Sequence, residues 1–92
     1  RRAAVVALAC VTLAACRAAD DSLERIRRAG VLRVGYASEA PYAFTVDGRV
    51  TGEAPELARR MAERAGIGEV QFIGTDFARL IPELESGRFD VV

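Results

Sequence analysis

Two apolar segments separated by an amphipathic helical pattern constrain the fold of this chain more than any other feature. Residues 31–37 and 70–73 are mostly apolar and include β-branched side chains, as is typical of strands buried on both faces of a sheet. Between them, one apolar face of a helix is outlined by Leu57, Ala58, Met61, Ala62 and Ala65. Strands that alternate with helices of about ten residues indicate parallel β-α-β units. The sequence therefore predicts an α/β fold.

Capping and turn residues predict two smaller elements. Asp21 or Ser22 can cap a short first helix, and Asp21 and Glu24 have the spacing of a capping box. Asp47 and Gly48 lie between two alternating segments, and this dipeptide is a strong signal for a two-residue hairpin turn. We therefore expect a helix before the first strand and a small antiparallel hairpin after it, over residues 42–51.

The last part of the chain predicts a third helix and the start of a third strand. The helix is expected over residues 77–86, with an irregular first turn because Pro82 lies within it. Residues 90–92 begin another apolar strand. We expect the chain to continue past Val92, since a strand of three residues is unfinished.

The charge and the residue types exclude several functions. The thirteen basic residues are all Arg and are balanced by thirteen acidic residues, which argues against a protein that binds nucleic acid. The chain has two Cys and no His, so it can build neither a His-containing nor a four-Cys zinc site, nor a His-activated nucleophile. We therefore expect no metal, no cofactor and no nucleic-acid partner.

The charged residues of the middle helix are interpreted as solvated. Arg59, Arg60 and Arg64 are expected on its exposed side. Glu56 and Arg60 are four residues apart in the order that favours an ion pair on a helix surface.

The N-terminal residues have the pattern of an export signal. Two Arg open the chain, and a run of thirteen almost entirely apolar residues follows, shorter than the about 20 residues that span a bilayer. Residues 13–16 (LAAC) resemble the bacterial lipobox, in which the Cys becomes the lipidated N-terminus. We therefore predict a lipoprotein signal peptide over 1–15 and a polar tether over 16–21, with lipidation at Cys16. A buried core helix that contains both Cys is the alternative.

Two loops of the predicted sheet are candidate ligand sites. In an open parallel sheet, ligands bind beyond the carboxyl ends of the strands. Residues 38–42 follow the first strand and residues 75–77 follow the second. Without further information, Glu39 would be a solvated carboxylate, Tyr42 a packing aromatic and Phe77 a helix-start residue that faces the core.

Several motifs together resemble the first lobe of family-3 solute-binding proteins, the extracytoplasmic receptors of polar amino-acid ABC importers. They occupy 30–35 (GVLRVG), 41–44 (PYAF), 47–52 (DGRVTG) and 80–92 (LIPELESGRFDVV). The resemblance covers residues 20–92. It implies a periplasmic-binding-protein-like fold of type II, in which 22–92 form a partial first lobe with a parallel β-α-β core and a small hairpin, truncated at the C-terminus.

Within this family, two segments are similar to the receptors for ectoine and hydroxyectoine. They are 38–42 (SEAPY) and 52–56 (GEAPE), where amino-acid binders usually have Gly-Phe-Asp-Val-Asp after the hairpin. The resemblance implies that Glu39 binds the ring nitrogens of the ligand and that Tyr42 forms one face of an aromatic box. The resemblance also implies that Phe77 takes a second position in this aromatic box. The Arg that binds the ligand carboxylate is expected past Val92.

The ligand that the resemblance implies suits these residue types. Ectoine is a small zwitterion with a delocalised amidinium, which a carboxylate binds through charge-assisted hydrogen bonds. Aromatic faces stabilise such a cation by about 0.5–2 kcal/mol each.

The expected function is that of a binding protein, not an enzyme. We expect an extracytoplasmic receptor, anchored to the bacterial cell membrane through lipid on Cys16 or free in the periplasm. It would deliver a small zwitterionic ligand to ABC permease subunits. A receptor for a polar amino acid is the nearest alternative, and a periplasmic enzyme or sensor on the same fold is a further one.

Overall fold

The computed structural model of the protein describes residues 21–92. The predicted signal peptide, Cys16 and nearly all of the tether lie outside the described residues. Within residues 21–92, no helix combines the length and the apolar character needed to cross a membrane. In chain order the elements are α1 (Ser22–Ala29), β1 (Val31–Tyr36), β2 (Phe44–Val46), β3 (Arg49–Thr51), α2 (Glu53–Arg64), β4 (Glu69–Gly74), a 3₁₀ helix (Phe77–Arg79) and α3 (Leu80–Glu85).

The central sheet is parallel, as predicted. Strands β1 and β4 pair from Val31 with Glu69 to Tyr36 with Gly74. The other edge of β1 carries a parallel bridge to Val91, so β1 lies between β4 and the segment that follows α3. The α/β fold with a parallel β-α-β core is therefore confirmed, although the predicted third strand is reduced to this bridge and β1 ends one residue earlier than expected.

One face of the sheet packs against α2 and forms a small apolar core. The side chains of a strand alternate between its two faces, and the buried members of this core are Leu32 and Val34 of β1 with Ala62 and Ile67. Ile26 of α1 packs against the edge of this cluster. The amphipathic pattern therefore correctly predicted a helix that connects two parallel strands and packs on their sheet.

The predicted apolar face of α2 is wider than the face that packs. Ala58 and Ala65 lie against the core, but 58% of Leu57 and 60% of Met61 are exposed. The small alanines let the helix approach the two-stranded sheet closely, and this sheet is too narrow to cover the flanking large side chains. The prediction of one continuous packed face is therefore wrong for these two residues.

On the opposite face of β1, Gly35 provides room for an aromatic ring. Phe89 is only 2% exposed, and a Cβ atom placed on Gly35 would lie 2.5 Å from its ring carbons. Because ordinary carbon contacts are about 3.5–4.0 Å, the ring fits only against a glycine. This contact fixes the segment after α3 on the face away from α2.

An ion pair holds the same segment along the edge of β1. Asp90 accepts hydrogen bonds from the Arg33 guanidinium at 2.8 and 3.3 Å and from the Arg33 backbone N–H at 2.9 Å. Burial by itself would raise the pKa of Asp90, but the hydrogen bonds from Arg33 and the positive charges of Arg33 and Arg25 outweigh it, so the pKa is lowered. The carboxylate is therefore held in its charged form in the folded protein.

The hairpin and the irregular third helix are confirmed. Strands β2 and β3 are antiparallel, and Asp47 and Gly48 between them have φ angles of 50° and 79°, as a two-residue hairpin turn of type I′ requires. The expected helix over 77–86 begins as the 3₁₀ turn and continues as α3, with Pro82 in the first turn of α3.

The predicted capping box at α1 is wrong. Asp21 is the N-cap residue of α1, but its side chain makes no capping hydrogen bond. Its backbone carbonyl instead accepts a hydrogen bond from the Arg25 N–H at 2.9 Å. Glu24, which would complete the box, turns to Arg27 three residues further along the helix, at 3.4 Å.

The predicted ion pair of Glu56 with Arg60 and the predicted solvent exposure of Arg59 are also wrong. Glu56 pairs with Arg59 at 2.5 Å and with Arg49 of β3 at 3.2 Å, not with Arg60. Arg59 is not solvated, because only 23% of its side chain is exposed. The tertiary approach of the hairpin to α2 selects these partners, which helix spacing alone cannot show.

Candidate functional site

The loops that follow β1 and β4 leave the sheet at neighbouring points. Tyr36 and Gly74 are paired at the carboxyl ends of these strands, and the Thr75 N–H donates to the Tyr36 carbonyl at 2.9 Å. From β4 the chain crosses back to the other edge of β1, where Val91 makes its bridge. The strand order therefore reverses at β1, and in open α/β sheets the crevice at such a reversal is where ligands bind.

The first loop is closed by its own backbone hydrogen bonds. The Glu39 N–H donates to the Ala43 carbonyl at 2.6 Å, and the N–H groups of Ala43 and Tyr42 each donate to the Glu39 carbonyl at 2.9 Å. Ala43 is buried, whereas the Glu39 side chain is exposed and 56% of Tyr42 is exposed. The loop therefore has a fixed backbone, with one carboxylate and one aromatic ring on its outer side.

Phe77 lies in the second loop, at the start of the 3₁₀ helix. Its side chain is 76% exposed, so it does not face the core in this structure. The turn below it is closed by a hydrogen bond from the Arg79 N–H to the Asp76 carbonyl at 2.9 Å. An apolar ring with this exposure is available for contact.

The structure brings Glu39, Tyr42 and Phe77 to one open hollow. Its volume is about 1050 Å³, and it continues from the loop edge along α1 and α2. Chemically, a carboxylate can accept N–H groups of a cation, and aromatic faces can stack on it. Nowhere in residues 21–92 do Cys, Asp and Glu side chains cluster as a metal site would require.

Sequence reasoning missed Tyr36 as a residue of this hollow. It is the last residue of β1 and lines the hollow, with its ring edge-on to Phe72 at 6.4 Å between centroids. Phe72 in turn lies under the Arg59 guanidinium at 4.7 Å. In the sequence, Tyr36 could have been identified only as an aromatic residue at the carboxyl end of a predicted strand, where the predicted binding edge begins.

Arg59 and Arg33, which contact the central sheet, are engaged within the protein. Arg59 donates to the Val50 carbonyl at 2.5 Å, and Arg33 bonds to Asp90 and to the Gly87 carbonyl at 3.0 Å. Neither is therefore free to bind a ligand carboxylate.

The chain resembles curated proteins and solved structures over most of its length. It is 35% identical over 94 residues to the probable amino-acid ABC transporter periplasmic-binding protein y4tE of Sinorhizobium fredii, covering 99% of this chain and 31% of the relative. It is 33% identical over 92 residues to the cyclohexadienyl dehydratase of Pseudomonas aeruginosa, covering 95% of this chain and 34% of the relative. The crystal structure of EhuB in complex with hydroxyectoine is similar with a TM-score of 0.69 and 33% identity, over 75% of this chain and 27% of EhuB.

The chain spans about a third of the length of these proteins. Residues 32–92 also match the family described as bacterial extracellular solute-binding proteins, family 3. The matched segment runs from β1 to the bridge at Val91 and includes both loops of the hollow. The chain therefore belongs to the bacterial extracellular solute-binding proteins, family 3.

Proposed function

We propose that this protein is the receptor of an ABC importer and captures a small zwitterionic solute, ectoine or hydroxyectoine, outside the cytoplasm. The observation that carries the proposal is the meeting of Glu39, Tyr42 and Phe77 at one hollow, at the edge of the sheet where its strand order reverses. Membership of the solute-binding family and the similarity to EhuB with hydroxyectoine support it.

The roles that we propose for the three residues are those implied by the family resemblance, and they suit the chemistry of the side chains. The Glu39 carboxylate accepts the N–H groups of the ligand's delocalised cation. The rings of Tyr42 and Phe77 cover its faces and exclude water from the charge pair, which strengthens the attraction. Closure of a second lobe over the hollow completes the capture, and the closed receptor then docks on the permease.

The test is calorimetric titration of the full-length protein with ectoine, hydroxyectoine and a panel of polar amino acids. Glu39→Gln keeps the shape of the side chain and removes its charge, so we expect the affinity for ectoine to fall roughly 10- to 100-fold. Glu85→Gln is the matched control, because Glu85 is exposed on α3 and does not line the hollow. Unchanged affinity of the Glu39 variant would refute its role.

A polar amino acid is the second candidate ligand, favoured by the similarity to the probable amino-acid binding protein y4tE. Its α-amino group would also use the Glu39 carboxylate, but its side chain needs no aromatic box. Tyr42→Ala and Phe77→Ala distinguish the two ligands. Both variants should weaken ectoine binding, whereas an amino-acid receptor should lose little affinity in at least one of them.

We propose a binding protein and not an enzyme, although the cyclohexadienyl dehydratase of Pseudomonas aeruginosa is a relative. No described residue is a His. Two carboxylates line the hollow, Glu39 and Asp90, and Asp90 is engaged by the Arg33 guanidinium, so the two do not form a paired acid and base. Chromatography of the ligand after incubation with the protein tests this directly, and any conversion of the ligand would contradict it.

We further propose that residues 1–15 are removed and that Cys16 carries the lipid that holds the receptor at the membrane through the tether 16–21. The motif at 13–16 and the apolar run before it support this proposal. Labelled palmitate should be incorporated into the wild type and the Cys10→Ser variant but not into Cys16→Ser. Equal labelling of Cys16→Ser would exclude the anchor.

A further inference from the structure

We propose that Gly52, at the start of α2, is a positioning residue for the binding loop that carries Glu39 and Tyr42. The inference rests on the proposed function, because it concerns the same site. Gly52 itself does not line the hollow. It would act on the ligand only through the backbone of the loop.

The backbone of Gly52 lies against the backbone of the loop. A Cβ atom at Gly52 would lie 2.5 Å from the Tyr42 carbonyl oxygen and 2.8 Å from the Pro41 carbonyl oxygen. Both are main-chain atoms, so they cannot move away as a flexible side chain could. The φ angle of Gly52 is 117° with ψ at 180°, a conformation that is essentially restricted to glycine.

This close approach lets the first turn of α2 bind the loop. The Ala54 N–H donates to the Tyr42 carbonyl at 3.0 Å, and the Glu53 N–H donates to the Pro41 carbonyl at 3.4 Å. The first N–H groups of any helix lack partners within the helix, and here the loop supplies acceptors for two of them. The partial positive charge of the helix N-terminus strengthens both bonds.

The loop is therefore held from two sides. Its own hydrogen bonds close the backbone between Glu39 and Ala43, and α2 fixes the peptide that bears the Tyr42 ring. A side chain at position 52 must push this peptide away and break both contacts with α2. Since a binding site needs its groups within about 0.5 Å of their productive positions, we expect Gly52→Ala to weaken ligand binding at least tenfold.

Gly48→Ala is the matched control. Gly48 lies in the same hairpin region with a φ of 79°, so alanine strains its backbone as well, but a Cβ there meets nothing within 4 Å. Both variants should lose stability. Only Gly52→Ala should disturb the loop, and the two effects can therefore be separated.

The first measurement needs no ligand. Amide hydrogen exchange of the full-length protein should be at least tenfold faster at Ala54 and Ala43 in Gly52→Ala than in the wild type, and unchanged there in Gly48→Ala. Equal exchange at these two amides in all three proteins would overturn the positioning role. This readout is independent of which solute the protein binds.

The second measurement is a double-mutant cycle on ligand affinity, with ectoine as the titrant. If Gly52 acts through the Tyr42 ring, Gly52→Ala should lower the affinity at least tenfold in the wild-type background. In the Tyr42→Ala background the same substitution should lower the affinity much less. Equal costs in both backgrounds would overturn the inference, because a general structural defect is additive. A wild type that binds neither ectoine nor an amino acid refutes the proposed function, while the exchange measurement still decides the role of Gly52.

Discussion

The contact between Gly35 and Phe89 leads to a sharp prediction about Gly35→Ala. Alanine at this position would put its methyl group 2.5–2.6 Å from three carbons of the Phe89 ring. Ordinary contacts between carbons are about 3.5–4.0 Å, so the ring must retreat by about 1 Å. Phe89 is the largest fully buried side chain among residues 21–92, so a retreat of its ring loses packing contacts.

The expected cost follows from two opposing terms. Overpacking of a buried contact costs about 1–3 kcal/mol. The φ angle of Gly35 is in the region that L-residues adopt, so alanine also restricts the unfolded chain, which stabilises by about 0.4–1 kcal/mol. The overpacking term is larger, and we expect a net loss of about 1–2 kcal/mol in the free energy of unfolding.

Urea denaturation of the full-length protein, followed by circular dichroism, measures this loss. Gly68→Ala is the control, because a Cβ at Gly68 meets nothing within 4 Å and its φ is not in the left-handed region. It should be neutral or slightly stabilising. In a Phe89→Leu background the cost of Gly35→Ala should fall by at least about 0.5 kcal/mol, since the smaller side chain leaves room. Unfolding free energy at or above the wild-type value in Gly35→Ala would refute the reasoning.

Two further predictions concern the ion pairs of the sheet and of α2. The pKa of Asp90 is lowered on folding, so its contribution to stability is present above the unfolded value of about 3.9 and is lost as the pH falls through the folded value. Asp90→Asn should therefore flatten the stability profile below about pH 4 in urea titrations, and an unchanged profile would contradict this. Arg59→Met should lose about 1–2 kcal/mol of unfolding free energy, since it removes the hydrogen bond to Val50 and the contact with Phe72, whereas Arg60→Met should lose little. Equal effects of the two Arg variants would show that the contacts of Arg59 add nothing.

Much of the fold could be predicted because its signals are local. Each signal determines the backbone conformation of the residues that carry it. Examples are the apolar runs of β1 and β4, the Asp47-Gly48 turn and Pro82. The parallel pairing follows from the alternation of strands and helices. Once that topology is known, the loops after β1 and β4 must meet at one edge, so the neighbourhood of the site was also predictable.

What could not be predicted depends on distances between separate segments. Helix spacing predicted an ion pair between Glu56 and Arg60, but the hairpin brings Arg49 close to Glu56, which pairs with Arg49 instead of Arg60. Leu57 is exposed because the sheet is narrow, and the sequence of α2 does not predict the width of the sheet. Gly52 looked like an ordinary helix start, and only the position of the loop carbonyls reveals why a glycine lies there.

The ligand roles of Glu39, Tyr42 and Phe77 came from family resemblance, not from the residue pattern. A carboxylate and two aromatics on loops are more often solvated or packed than functional. The structure leaves all three exposed at one hollow, and their roles in binding remain predictions for titration.

The hydrogen bonds that close the loop after β1 and the ion pair that holds the segment after α3 join residues at very different separations along the chain. The loop closure joins Glu39 to Ala43, whereas the pair of Arg33 and Asp90 joins residues 57 apart. Closing the longer segment costs roughly 2 kcal/mol more in chain entropy. We infer that the loop after β1 forms early in folding and that the outer edge of β1 stays unpaired until the end of the longer segment has been synthesised. During synthesis on the ribosome, that open edge is where the nascent chain would need protection from intermolecular strand pairing.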